Sequence, residues 1–247
     1  MKIYITEGEA AFNRAAAEQV QIQLRRKSES VIGLALGRTT LGIHRELVRM
    51  HRYEGQDFSK AVLFILDESI GIAKVHPATG YSRIRTQLFD HINAKECNMF
   101  TPDTQPEDAD ASCAQYEKKL ESFGGVDLQI LGIGENGHVG FNDPGTPFES
   151  TTHIVKISET AKKNKLSYFN TIAEVPEYGI TLGLKSIMMA RRILLLAKGE
   201  KKSEIIKKAL FGPISPQVPA SVLQLHRHLT VILDASAAAG ILPQLNL

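Results

Sequence analysis

Apolar runs of strand length recur along the 247-residue chain, at KIYI, SVIGLAL, KAVLFIL, DLQILGI, HIVKI, RILLLA and LTVIL. Several are apolar at successive positions, as strands buried on both faces of a parallel sheet must be. Between them lie EAAFNRAAAEQVQIQLRR, TTLGIHRELVRMH, DASCAQYEKKLESF and KKSEIIKKALF, whose apolar residues fall three and four apart, the spacing of one helical face. The alternation predicts an α/β fold: a three-layer sandwich with a mostly parallel, Rossmann-like central sheet and helices on both faces. Ligands of such sheets bind in the crevice beyond the carboxyl ends of the strands. No repeat or linker interrupts the pattern, so one domain over 1–247 is expected. The stretch KKNKLSYFNTIAEVPEYG is polar and lacks a period, and residues 158–178 form either a mobile lid or a long surface connection.

Charge narrows the partners. The formal net charge is +2 with acids and bases interspersed, which supplies no broad basic face for nucleic acid or an anionic membrane. A local anion site is still compatible with it. No apolar run approaches the roughly 20 residues that span a bilayer, and MKIYITEGEA turns polar too early for a signal peptide, so a cytoplasmic protein is expected. Cys97 and Cys113 lack C-x-x-C spacing and read as buried or inert thiols, not as a disulfide or a zinc pair. The pattern suits a monomer or a homo-oligomer equally.

Four segments follow apolar strands, where this architecture places function. In LALGRTTLG, Gly37 permits close backbone approach, and Thr39 and Thr40 suit a helix cap whose free N–H groups face a phosphate. An ordinary strand-to-helix turn has the same appearance. In LFILDESIG, Asp67 and Glu68 end an apolar run, where partial desolvation raises a carboxyl pKa and suits a general base; turn capping by Asp67 is the plainer alternative. In AKGEKKSEII, Lys201 and Lys202 stand at a helix start, a misfit with the helix dipole that a bound anion would relieve and that Glu200 and Glu204 also offset. His226 and His228 in LQLHRHL would share one strand face, but no third zinc ligand stands at suitable spacing.

The fourth segment, GIGENGHVGFNDPG at 132–145, opens with the G-x-G-x-x-G pattern of dinucleotide sites. That fingerprint needs a helix beginning at its last glycine and an acid about 20 residues later at a strand end. Gly140, Asn142, Pro144 and Gly145 break any helix after Gly137, DPG is a type II turn signal, and Glu159 begins a helical stretch instead of ending a strand. The residues therefore argue against NAD. A glycine-permitted loop remains, carrying Asn136, His138 and Asp143, with His138 an acid/base candidate.

In this order the segments resemble the glucosamine-6-phosphate deaminase (isomerase) family over nearly the whole chain. Its pattern of TGGTP, LDEYxGL, GIGxxGHIxFNEPG, a lysine after the last buried strands and PASxLQxH is met here by LGRTT at 36–40, LDESIGI at 66–72, GIGENGHVGFNDPG, KGEKK at 198–202 and VPASVLQLH at 218–226. The resemblance implies that Asp67 moves a proton between C2 and C1 of an opened amino sugar through an enolamine. It implies that His138 opens the ring with Asp143 and Asn136 orienting it, and that Gly37, Arg38, Thr39 and Lys202 hold the 6-phosphate. The implied reaction converts glucosamine 6-phosphate and water to fructose 6-phosphate and ammonia, with no metal or organic cofactor. Departures are Asp143 for Glu, Ser69 for Tyr, Thr40 for Pro, Arg38 for Gly and Ser167 for a phosphate-binding arginine, a loss that Arg38 is expected to offset with its planar fork. Alternatives are the C4 epimer, galactosamine 6-phosphate giving tagatose 6-phosphate, a 6-phosphogluconolactonase-like hydrolase, and a non-catalytic sugar-phosphate sensor.

Overall fold

The computed structural model describes residues 1–245. Its strands are β1 (Lys2–Thr6), β2 (Val31–Leu34), β3 (Val62–Ile65), β4 (Asp67–Ile70), β5 (Met99–Phe100), β6 (Leu128–Gly132), β7 (His153–Lys156), β8 (Tyr178–Thr181), β9 (Ile193–Ala197) and β10 (Leu229–Asp234). Seven form one sheet in the order β1-β10-β9-β6-β2-β3-β5, with parallel pairing throughout. The α-helices are α1 (Gly8–Arg26), α2 (Arg38–Glu54), α3 (Gly80–Gln87), α4 (Ala109–Ser122), α5 (Glu159–Lys165), α6 (Leu184–Met188), α7 (Ser203–Phe211) and α8 (Ala235–Ala238).

The pleat sorts the apolar strand residues onto two faces. Ile32, Leu34, Leu63, Ile65, Ile130, Leu194, Leu196 and Ile232 pack with Phe12, Val20, Ile43, Leu47 and Ile84 of α1, α2 and α3. Their alternates Val31, Phe64, Leu131, Leu195, Val231 and Leu233 pack with residues of α4, α6, α7 and α8. Two cores with the sheet between them make the three-layer sandwich, and explain why the central strands read as continuous apolar runs.

One strand-length run went elsewhere. HIVKI is β7, which joins β4 and β8 in a separate antiparallel sheet ordered β4-β8-β7. The chain changes sheets at Leu66, whose N–H donates to Leu34 O at 2.9 Å as a continuation of the large sheet and whose carbonyl accepts from Leu182 N at 2.9 Å. The next residue, Asp67, pairs with Thr181 in the small sheet. Tyr116 of α4 steadies this junction from below, donating its buried hydroxyl to Ile65 O at 2.7 Å. Removing that donor strands a buried carbonyl, so Tyr116→Phe is expected to cost about 1–3 kcal/mol in urea denaturation, with an unchanged slope.

Candidate active site

The change of sheet presents Asp67 at the carboxyl end of β3. Its neighbour Glu68 is 1% exposed, and its carboxylate accepts from Ser69 N at 2.7 Å, Gly80 N at 2.8 Å and Tyr81 N at 3.0 Å. The last two amides open α3, so a buried anion meets a helix N-terminus. Burial still pushes the Glu68 carboxyl above its ordinary value, against the pull of these three donors. Asp67 has no such set of donors. Burial raises its pKa to about 6; the Lys165 ammonium pulls it down, Glu68 pushes it up, and Arg83 and His138 pull it down.

The loop after β6 holds the second acid/base group. A Cβ on Gly134 would fall 2.2 Å from His138 Cε1, so the imidazole lies directly on the glycine. Gly137 has φ +91°, a left-handed conformation that favours glycine. These two glycines shape a loop around a histidine. The DPG turn forms as expected, with Thr146 N donating to Asp143 O at 3.0 Å and Gly145 at φ +96°.

Asn136 Oδ1 lies 2.7 Å from His138 Nδ1 and also accepts from His138 N at 3.1 Å, while Asn136 Nδ2 donates to Asp143 Oδ1 at 3.0 Å. Asp143 Oδ1 stands 3.4 Å from His138 Nδ1. Asn136 is therefore the nearer partner of the imidazole and Asp143 backs both, with its carboxyl held below its ordinary value chiefly by His138. An accepting Asn136 oxygen places the proton on Nδ1 and leaves Nε2 as the basic nitrogen.

A cavity of about 700 Å³ lies beyond the carboxyl ends of β1, β2, β9 and β10. Arg38, Thr39, Lys198, Lys201 and Lys202 line it, together with Glu9, Glu135, Glu200 and Asp234. Burial pushes the Lys202 ammonium pKa down, Glu135 opposes this, and Arg38 adds to it, which is the electrostatic position of a cation lacking a full complement of anions. Asp67, His138 and Asp143 lie outside this lining; Glu135, adjacent to Asn136, connects the two regions.

Two expectations are corrected. Gly37 itself is the N-cap of α2, so Thr39 and Thr40 lie inside the first turn; Thr40 Oγ1 accepts from Gly37 N at 2.9 Å. His226 and His228 precede β10 instead of sharing a strand face, and His226 is committed to Ala190 O at 2.8 Å through Nε2 and accepts from His228 N at 3.2 Å. Among the described residues no group of three or more His, Cys, Asp or Glu could hold a metal ion. Cys113 is buried, which raises its thiol pKa to about 11, whereas Cys97 is exposed. Residues that sequence reasoning passed over are Arg83, Lys165 and Glu135; the charges of the first two reach Asp67 only through tertiary packing.

The family described as glucosamine-6-phosphate isomerases/6-phosphogluconolactonase matches residues 7–232. A glucosamine-6-phosphate deaminase of Clostridium botulinum (strain Loch Maree / Type A3) is 40% identical over 97% of this chain and 98% of its own length. The chain belongs to the glucosamine-6-phosphate isomerase/6-phosphogluconolactonase family. Another member, a glucosamine-6-phosphate deaminase of Thermoanaerobacter sp. (strain X514), is 42% identical over 97% of this chain and 94% of its own. Within the family, the solved structure of a monomeric glucosamine-6-phosphate deaminase superposes with a TM-score of 0.93 at 37% identity, covering 97% of this chain and all of that one. A 6-phosphogluconolactonase from Thermotoga maritima shares the fold at a TM-score of 0.74 and 20% identity, covering 94% and 98% of the two chains. Among the described residues no helix is long and apolar enough to cross a membrane.

The His138–Asn136–Asp143 cluster predicts its own response. His138→Ala is expected to raise the Asp143 carboxyl midpoint towards the ordinary aspartate value in a carboxyl-detected NMR titration, and an unmoved midpoint would show that the two groups are not coupled.

Proposed function

We propose that this protein is an amino-sugar 6-phosphate deaminase that converts glucosamine 6-phosphate and water to fructose 6-phosphate and ammonia. The observation that carries the reading is Asp67, a carboxyl at the carboxyl edge of the sheet that burial raises to about 6 and that feels the charge of His138. Such a base is ionised at neutral pH yet more basic than a free carboxylate, which suits proton abstraction beside a carbonyl. The family membership and the deaminases at about 40% identity support the same substrate class.

In the proposed mechanism the 6-phosphate sits in the cationic cavity against Arg38, Lys202 and the amides that begin α2 at Arg38 and Thr39, with Gly37, whose own amide is taken by Thr40, as the cap of that helix. His138, basic at Nε2 and held through Nδ1 by Asn136 and Asp143, exchanges a proton between the anomeric hydroxyl and the ring oxygen and so opens the pyranose. Asp67 then takes the C2 proton, giving an enolamine, and returns it to C1, giving a ketose imine that water converts to ketose and ammonia. The chain acts as one domain in a cytoplasmic setting, with residues 158–178 as its lid. Arg38 supplies the cation that Ser167, exposed in the turn after α5, does not.

Incubation with glucosamine 6-phosphate should release ammonia and fructose 6-phosphate in equal amounts. No ammonia from either this sugar or its C4 epimer would overturn the reading, and acid from 6-phosphogluconolactone alone would favour the hydrolase. Asp67→Asn should lower kcat by roughly 10²- to 10⁴-fold or more, the contribution of a positioned acid/base group, while leaving sugar-phosphate binding largely intact. Arg38→Ala should raise KM about tenfold or more, the value of a charged hydrogen bond; an unchanged KM would remove Arg38 from the phosphate site.

A further inference from the structure

Lys165 ends α5, inside the polar segment that the sequence leaves without a period. Its ammonium is hydrogen-bonded to the hydroxyl of Ser69 on β4 and lies 5.4 Å from the centroid of the Phe141 ring. Ser69 is fully buried, and its short side chain leaves the room that the lysine fills. Ser69 and Asp67 stand two apart on β4 and so share a face of the strand, which sets the ammonium on the Asp67 side; the charges acting on it are those of Asp67 and Glu68 of β4 and Arg83 of α3. The residues just beyond α5 are fastened nearby, where Phe169 stacks on His76 with ring centroids 4.9 Å apart. By contrast Lys162, one turn earlier on α5, pairs with Glu159 at 3.4 Å and Glu177 at 3.9 Å, the arrangement of a lysine that merely fastens the helix.

We propose that Lys165 is a positioning residue for the Asp67 base, carried on α5 so that the Asp67 carboxylate is matched by this cation only while the segment is seated on β4. The inference rests on Asp67 being the base. Asp67 is faced by Lys165 from α5, Glu68 from β4, Arg83 from α3 and His138 from the loop after β6. Glu68 works against ionisation, and Lys165 exerts the largest of the opposing pulls. The ammonium is itself short of solvent: burial pushes its pKa down, and Asp67 and Glu68 hold it up. Each charge thus sustains the other in a site where neither has water enough to stand alone. The hydrogen bond to Ser69 directs the ammonium without neutralising it, because a hydroxyl carries no charge. Seating the segment therefore favours the ionised base, so the base is best armed when the site is covered.

The sign follows from the charges. Removing a cation near a carboxyl raises the carboxyl pKa, by about one unit or more for a partner within about 4–6 Å. The test is a carboxyl-detected NMR titration of the full chain, with Asp67→Asn identifying the signal, combined with kcat/KM at pH 6 and pH 8. In Lys165→Gln the Asp67 midpoint should rise from about 6 by about one unit or more. Activity at pH 6 should fall several-fold further than activity at pH 8, with little change in KM for the sugar phosphate. Lys165→Arg should keep the midpoint near that of the unaltered chain. Lys162→Gln, which loosens the same helix without facing Asp67, should also leave it in place. A midpoint unmoved in Lys165→Gln, or moved equally in Lys162→Gln, overturns the proposal. Ser69→Ala gives an independent measurement should Lys165→Gln fail to fold: loss of the anchor should move the midpoint in the same direction, and no movement counts against the proposal. The titration needs no turnover, so absence of ammonia production by the unaltered chain would overturn the functional reading and leave the Lys165 result to stand or fall by itself.

Discussion

The catalytic end of the molecule depends on one buried anion, the carboxylate of Glu68, and on the backbone amides that satisfy it. An unpaired buried carboxylate is too costly to persist unless hydrogen bonds replace its hydration. Glu68 meets that demand with three N–H donors, two of them at the start of α3. The consequence is geometric: β4 is locked to the N-terminus of α3 and leaves the large sheet at Leu66. Asp67 is thereby turned out at the carboxyl edge with no comparable donors of its own. Two adjacent carboxylates acquire different roles, one spent on structure and one kept reactive.

The other end of the site follows from the parallel sheet. Parallel strands deliver their carboxyl ends to one edge, where the loops and helix starts that follow them must gather. Here the gathering brings Arg38 from the start of α2 and Lys198, Lys201 and Lys202 from the turn after β9 around one cavity. The loop after β6 lies between the cavity and the junction, with Glu135 facing the cavity and His138 on the Asp67 side. Sugar phosphate chemistry needs an anion site and an acid/base pair at fixed separation, and a sheet that changes partners beside its own carboxyl edge supplies both from one framework.

Much of this was legible in the chain because the central strands are buried on both faces and so are apolar without interruption. Six of the seven runs singled out, from KIYI to LTVIL, lie in the parallel sheet. The small sheet was harder to see. β4 begins with two acids and β8 with an exposed tyrosine, so neither carries a strand's periodic signal, and HIVKI had no local mark of its antiparallel partners. His138, Asn136 and Asp143 were readable from the glycine and proline chemistry of their loop, although the order of contact, Asn136 ahead of Asp143, needed coordinates. Lys165 was not readable at all. One lysine among several in a polar stretch becomes significant only when folding sets it against Ser69 and Phe141, a contact spanning 96 positions of sequence for the former.

The central claim is that a single carboxyl, displaced by burial, performs the proton transfer. Its most direct test is the pH dependence of kcat/KM for ammonia release from glucosamine 6-phosphate between pH 4.5 and 8, roughly the range over which such a group titrates. The account predicts a limb that rises about tenfold per pH unit below a midpoint near 6 and then levels, as one group passes from acid to base. A profile that is flat through that midpoint, as a carboxyl titrating at the ordinary aspartate value of about 3.9 would give over this range, would contradict it.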